Sequence, residues 1–356
     1  MINQDFWQGK KVFLTGHTGF KGSWLSIWLS SLGANVKGYA LKPNSSPSLF
    51  EEAKVEKMID SYYGDIRDFK SVQEVMEEFN PDILIHMAAQ PLVRYSYAEP
   101  IETYEVNVMG SVNVLEAARG CKNLKAIVNI TTDKCYENEE LDIKYSEDSP
   151  LGGHDPYSSS KACAELVASS YKRSFLQHNQ VGLATARAGN VIGGGDWAQD
   201  RLIPDILRSF EQKIPVLIRY PKSIRPWQHV LEPLSGYLIL AQKLYYESDK
   251  FSEGWNFGPR EEDAKSVEWI LDKMTSKWPY SSWKLDEKFN PHEAGYLKLD
   301  ISKADTLLGW QPTWDIDCAL EKVIEWHQAW LNNQDMHLFC LSEINEYTED
   351  MKNENC

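Results

Sequence analysis

Short apolar runs alternate with longer segments of helical periodicity along the first half of the chain. Residues 11–14 (KVFL) form an apolar run that stops at Thr15-Gly16. Residues 20–32 follow, with Trp24, Leu25, Trp28, Leu29 and Leu32 on one helical face. Residues 35–39 read as a second strand. Asp68 stands where a helix N-cap belongs, ahead of Phe69, Val72, Val75, Met76 and Phe79. Residues 83–87 (ILIHM) predict a strand, and 103–118 a helix with Tyr104, Val108, Val112 and Leu115 in a stripe. Residues 126–131 (AIVNIT), 157–175 and 181–187 continue as strand, helix and strand. Beyond Arg187 the alternation fades. Helical spacing returns in residues 231–246, 266–278 and 315–330.

Strands without polar alternation, separated by amphipathic helices, imply a parallel sheet covered on both faces. Right-handed crossovers then give an α/β fold with a Rossmann-type doubly wound sheet. The later pieces predict a smaller, discontinuous α/β domain for substrate. The expected division is 1–187 plus about 228–258 for the sheet domain, and about 188–227 plus 259–330 for the second.

Charge narrows the partners. Among 356 residues, 37 Lys and Arg face 52 Asp and Glu, a net charge of −15. Such a chain lacks the basic footprint of a nucleic-acid or anionic-membrane binder. No apolar stretch reaches the roughly 18 residues a span requires, and the start carries no apolar signal core. Cys121, Cys135, Cys163, Cys318, Cys340 and Cys356 include no CxxC pair, so neither a metal site nor a redox pair is expected. They read as free thiols in a reducing, cytoplasmic setting. Past Trp330 stand Asp335, Glu343, Glu346, Glu349, Asp350 and Glu354 against Lys352, so residues 331–356 are expected to be an acidic surface appendage.

Two clusters carry chemistry. Between the first strand and first helix lies Thr15-Gly16-His17-Thr18-Gly19-Phe20-Lys21-Gly22. Glycine there permits a tight turn, close approach to phosphate and close helix–strand packing. The helix N-terminus supplies amides and a positive dipole end for a pyrophosphate. No carboxylate follows at Tyr39-Ala40-Leu41-Lys42 to hold a ribose, so the loop alone leaves NAD and NADP open. Asp65-Ile66-Arg67 reads either as an adenine contact or as a helix cap. The second cluster is Tyr157-Ser158-Ser159-Ser160-Lys161, whose first and last side chains share a helix face. A free tyrosine has a pKa near 10; a neighbouring ammonium and a nicotinamide cation favour its phenolate. Tyr157 is then a base for a sugar hydroxyl. Thr131-Thr132-Asp133-Lys134 ends the preceding strand, and strand carboxyl ends face the site in such sheets. An acid and an amine beside a hydroxyl suit elimination of water.

With TGHTGFKG, GDIRD, HMAA (His86–Ala89), TTDK, YSSSK and RAGNVIGGGDW (Arg187–Trp197), the chain resembles the extended short-chain dehydrogenase/reductase family over nearly all of residues 10–330. Within it, Asp133-Lys134 and Ser223-Ile224-Arg225-Pro226-Trp227-Gln228-His229-Val230 resemble the dehydratases that act on CDP-glucose. Relatives acting on dTDP-glucose usually carry Asp-Glu at that pair. The resemblance implies a nucleotide-sugar 4,6-dehydratase with tightly held NAD: oxidation at carbon 4, loss of water across carbons 5 and 6, and return of hydride to carbon 6. It gives Tyr157 the carbon-4 proton, Thr132 the carbon-4 oxygen, Lys134 the carbon-5 proton and Asp133 the leaving hydroxyl. Lys161 holds the nicotinamide ribose. The implied NAD contacts are Gly16, Thr18, Gly19, Phe20, Gly22, Asp65, Ile66, Ala88, Ala89, Gln90 and Asn107, with Tyr157 and Lys161. The implied substrate contacts are Arg94, Asn190, Arg201, Arg225, Glu293 and Tyr296. Relatives assemble as homodimers or homotetramers, and 103–118 and 157–175 are the candidate interface helices. The implied product belongs to dideoxysugar and lipopolysaccharide O-antigen synthesis. A 4-epimerase of the same fold needs Tyr157 and Lys161 but not Asp133-Lys134. A non-catalytic NAD-binding sensor or scaffold needs none of the four.

Overall fold

The computed structural model describes residues 1–139, 141–278, 281–286 and 296–353. Seven parallel strands form its sheet: β1 (Lys11–Thr15), β2 (Asn35–Ala40), β3 (Asp60–Tyr63), β4 (Ile83–His86), β5 (Ala126–Ile130), β6 (Gly182–Ala188) and β7 (Gly254–Phe257). Their spatial order is β7-β6-β5-β4-β1-β2-β3. Val12 pairs with Val36 on one side and Ile83 on the other, so the order reverses at β1. A crevice opens there at the strand carboxyl ends.

The apolar runs are continuous because both faces are covered. Val12, Leu14, Ile83, Ile85, Ala126 and Val128 enter one core. Phe13, Leu84 and Ile127, at the alternate positions, enter the other. Helix α1 (Phe20–Ser31) covers the first face; α2 (Phe69–Phe79), α3 (Gly110–Ala118) and α4 (Pro156–Tyr171) belong to the second. Asp68 caps α2 as expected, accepting from the Ser71 amide at 3.2 Å. The expected helix 103–118 is helical throughout: Pro100–Tyr104 runs through a wider, π-helical stretch at Glu105–Met109 directly into α3. The expected helix 157–175 is likewise helical to its end, α4 widening into a π-helical stretch at Lys172–Leu176.

After residue 188, α5 (Leu202–Glu211), α6 (Leu231–Tyr246), α7 (Val267–Lys277) and α8 (Ile316–Leu331) follow. Helix α6 returns to the sheet's first core. Helices α5, α7 and α8 build a separate core around Ile206, Phe210, Ile270, Met274, Leu320 and Val323.

The acidic tail departs from its expected role. Residues Met336–Asn353 form a helix, α9, that buries Met336, Cys340, Ile344, Tyr347 and Met351 in the first core. Tyr347 stands edge-on to Trp28 and to Trp314, and its hydroxyl donates to Glu232 at 2.7 Å. Glu343 is buried 3.0 Å from His229. The acids lie around an apolar stripe, and that stripe makes the segment part of the core.

Candidate active site

A cleft of about 820 Å³ opens where the strand order reverses, lined by the glycine loop, the ends of β2–β5, the start of α4 and the segments after 188. That volume suits a small-molecule ligand.

The glycine loop has the shape a dinucleotide requires. Gly16 adopts φ +78, and a Cβ there would stand 2.7 Å from the Ala88 amide nitrogen. A Cβ on Gly22 would stand 2.1 Å from the Gly16 carbonyl oxygen. Gly19 begins α1 with no side-chain cap, so the helix's leading amides face the loop without a competing acceptor from the capping residue. The neighbouring strand end is braced against it. Thr15 accepts at Oγ1 from the amides of Met87 and Ala88 and donates to His86 Nδ1 at 2.6 Å. Burial, and then the Lys161 charge, push His86 down to about 3, leaving the neutral ring that this donation needs.

Thr18, Phe20, Asp65, Ile66, Ala88 and Ala89 line the cleft beside Gly16, Gly19 and Gly22. Asp65 is held by Arg67 at 2.6 Å. Gln90 and Asn107 stand behind the wall. Asn107 Nδ2 donates to the Gln90 carbonyl at 3.0 Å and to Ser160 Oγ at 2.9 Å, while its Oδ1 accepts from the Gln90 amide. These two residues tie the β4 loop to the helix that carries Tyr157 and Lys161.

The reactive groups converge at the cleft floor. Asp155 caps α4 and sets its start. Tyr157 and Lys161 then sit one turn apart and are both buried. Lys161 donates to the Ile130 carbonyl at the end of β5, at 3.1 Å. Burial pulls its ammonium down to about 8, against the opposing pull of Glu165. Tyr157 differs from expectation: burial, reinforced by Asp133, pushes its phenol up to about 12, although a Thr132 hydrogen bond and Arg201 pull it down. Without a further cation nearby, Tyr157 holds its proton.

Asp133 is fully buried; its Oδ1 accepts from Thr132 Oγ1 at 2.9 Å, and its Oδ2 has no hydrogen-bond partner. Gly189 gives that oxygen room, since a Cβ would lie 1.8 Å from it. Lys134 is half-buried and lines the cleft beside Asp133.

Next to Gly189, Asn190 has a buried Nδ2 without a partner. Arg201 pairs with Asp196 at 2.9 Å, and Arg94 with Asp200 at 3.1 Å. Arg225 also lines the cleft. Tyr296 does not itself line the cleft: its hydroxyl donates to Asp142, and its carbonyl accepts from Asn138, which does line it. Glu293 lies outside the described residues.

Three neighbours escaped the sequence reading. Lys21 belongs to the glycine loop, yet its side chain reaches the cleft and donates to Tyr237 on α6 at 3.4 Å. Glu165, one turn past Lys161, accepts from Thr185 and pairs with Arg187 at 2.8 Å, locking α4 to β6. The i, i+4, i+8 spacing of Tyr157, Lys161 and Glu165 was the available signal for the third. No spacing links Lys21 to Tyr237.

The comparisons with known proteins agree with this architecture. The GDP-mannose 4,6 dehydratase family profile matches residues 13–323, so the chain belongs to that family of extended short-chain dehydrogenase/reductases. It is 59% identical over 353 residues to the CDP-glucose 4,6-dehydratase of Salmonella typhimurium, covering 98% of each chain. It is 26% identical to a probable dTDP-glucose 4,6-dehydratase of Sinorhizobium fredii, covering 89% of this chain and 92% of the relative. Among solved structures, UDP-glucose 4-epimerase of Thermotoga maritima with UDP-glucose superposes with a TM-score of 0.77 at 20% identity, over 90% of this chain and 99% of that one. The dTDP-glucose 4,6-dehydratase of Bacillus anthracis in complex with NAD gives 0.75 at 20% identity, over 90% and 97%. At that identity the two structures establish the fold.

Proposed function

We propose that this chain is an NAD-dependent nucleotide-sugar 4,6-dehydratase that converts CDP-glucose to CDP-4-keto-6-deoxyglucose. The observation that carries the reading is that Thr132, Asp133, Lys134, Tyr157 and Lys161 line one cleft together with the glycine loop. The relative of 59% identity supports the cytidine nucleotide.

The loop, the α1 amides, Asp65 and Ile66 would hold NAD. When bound, it supplies a hydride acceptor for carbon 4, a hydride donor for carbon 6, and the cationic ring that favours the Tyr157 phenolate. Thr132 hydrogen-bonds the carbon-4 oxygen, and Tyr157 takes its proton. The new ketone acidifies the carbon-5 hydrogen. Lys134, as an amine, removes that proton, and Asp133, as a carboxylic acid, protonates the departing carbon-6 oxygen. The bare Asp133 Oδ2 is the oxygen suited to that task. Lys134 then returns its proton to carbon 5. Arg94, Asn190, Arg201 and Arg225 present donors to the diphosphate and nucleoside, guanidinium groups matching phosphate geometry. We assign residues 1–187 with about 228–258 to NAD and 188–227 with 259–330 to the nucleotide sugar.

An epimerase has no step for Asp133 and Lys134, and a sensor has no use for the convergence of five reactive groups. Among the described residues no helix is long and apolar enough to cross a membrane. We place the protein in the cytoplasm as a homodimer or homotetramer, its product feeding dideoxysugar and O-antigen synthesis. The test is a panel of CDP-, dTDP-, UDP- and GDP-glucose followed by mass spectrometry. CDP-glucose should lose one water, and deuterium placed at carbon 4 should reappear at carbon 6. Exchange of that label into solvent, or an epimerised alcohol as product, overturns the reading.

A further inference from the structure

Residues 189–196 carry two groups that serve the nucleotide-sugar side of the cleft: Asn190 directly, and Asp196, which fixes Arg201. Asp196 Oδ2 pairs with Arg201 at 2.9 Å, while its Oδ1 accepts from the Ala198 amide at 3.0 Å. Gly189, Gly193, Gly194 and Gly195 give the loop no side chains there to anchor itself, so its position depends on what it rests against. Two supports stand behind it. The strand Val191–Ile192 pairs with Gln228–His229; the Gln228 amide donates to the Asn190 carbonyl at 3.3 Å and the Val230 amide to the Ile192 carbonyl at 2.7 Å. Gly194 lies against Trp326, where a Cβ would stand 1.9 Å from the ring's Cγ, and its carbonyl accepts from Trp24 Nε1 at 2.9 Å.

We propose that α9 positions this loop for the nucleotide sugar, with Cys340 holding Trp326 and Glu343 holding His229. The inference rests on the reading of Asn190 and Arg201 as substrate contacts and adds positioning residues to it. Trp326 Nε1 donates to Cys340 Sγ at 3.3 Å, and both residues are fully buried. Glu343 Oε1 approaches His229 Nε2 to 3.0 Å, and both are buried. Among the described residues nothing else pairs with the Glu343 carboxyl group, so removing either partner leaves the other buried without an offset. Trp314 and Trp24 enclose the His229 ring, at centroid distances of 5.1 and 6.3 Å. Cys340 and Glu343 stand three residues apart and share one face of α9. One helix face therefore meets both supports of the loop at once. A close-packed interior has little slack to absorb a shift: withdrawing either side chain frees its partner ring, and the loop that carries Asn190 and Asp196 moves with the ring. The glycine loop is held by other contacts, Gly16 donating to the Tyr39 carbonyl at 2.9 Å, so NAD affinity is expected to be independent of this brace.

The test uses the full chain with NAD. Titration calorimetry gives the affinities for NAD and for CDP, which carries the nucleoside and diphosphate but cannot react; turnover of CDP-glucose gives KM and kcat. In Glu343→Ala the CDP affinity should fall roughly 3–30-fold, the range for residues that act on a site without touching its ligand. KM should rise in step, with kcat and NAD affinity near wild type. Glu343→Gln keeps an oxygen opposite His229 and should bind CDP as wild type does. Met351→Ala removes core packing further along the same helix and should lower the melting temperature without changing CDP affinity. If Glu343→Ala does not fold, Cys340→Ala carries the test: it deletes one sulfur, leaves Glu343 in place and should weaken CDP roughly threefold. Wild-type CDP affinity in a folded Glu343→Ala or in Cys340→Ala overturns the proposal. So does an equal loss in Met351→Ala, which would reduce the effect to general destabilisation. A wild type that binds CDP without dehydrating CDP-glucose rejects the dehydratase reading, while the same affinities still decide the brace; one that binds no CDP overturns both.

Discussion

Tyr157 shows how far a side chain's neighbours can reverse its simple chemistry. The Lys161 ammonium one turn away is itself weakened by burial, and Asp133 adds a repelling charge to the desolvation of the phenol. Raising the pKa to about 12 keeps Tyr157 protonated in the free protein. As the proposed base, Tyr157 would become ready when a cation joins it in the cleft, which would restrict proton removal to the loaded enzyme. Tyr157→Phe should lower turnover by roughly 10²–10⁴-fold while NAD binding, read by fluorescence titration, stays near wild type. Turnover within a few-fold of wild type would remove Tyr157 as the base. Lys134→Ala should allow oxidation at carbon 4 and stop before water is lost. Rapid quench should then show a 4-keto sugar that still carries its carbon-6 oxygen.

At the level of elements, the strands and helices that touch the sheet were legible because their periodicity is imposed by simple burial: two-sided for strands, one-sided for α2. The glycine loop and the Tyr157–Lys161 turn were legible for the same local reason. What escaped depends on chain segments far apart. The π-helical widening at Glu105–Met109 lies in a stretch whose apolar stripe continues across it, so its periodicity gave no warning. Helix α9 was hidden by its acids, although Met336, Cys340, Ile344, Tyr347 and Met351 follow helical spacing. Its docking centres on Glu232, which accepts from the amides of Thr313 and Trp314 and from Tyr347. Burial pushes that carboxyl up to about 7, even though these hydrogen bonds pull it down. Because the folded pKa lies above the unfolded one, the neutral acid's contribution is complete below the unfolded value and is lost as pH rises through about 7. Wild type should therefore lose stability relative to Glu232→Gln between pH 5 and pH 8, by up to about 3 kcal/mol. Denaturant melts of both proteins across that range measure it. A constant difference would show that Glu232 does not titrate there.

At the scale of the whole molecule, a few large apolar side chains are exposed on the side of the sheet opposite α1. Ile101, Met109 and Leu166 are 74%, 53% and 61% exposed, on or beside the helices expected to mediate assembly. On the strength of those side chains and of the expected interface helices, we propose this face as the contact site. Met109→Glu combined with Leu166→Glu should shift the protein to monomers in analytical ultracentrifugation; a wild type already monomeric would reject this face as an interface. The core's own closure has a different origin. The wall formed by α9 comes long after Trp28 in the chain, so a nascent polypeptide emerging from the ribosome exposes Trp28 and its neighbours until residues 336–353 have been made. Termination before residue 336 would leave the reactive groups encoded but the fold unsealed, a target for chaperones and proteases.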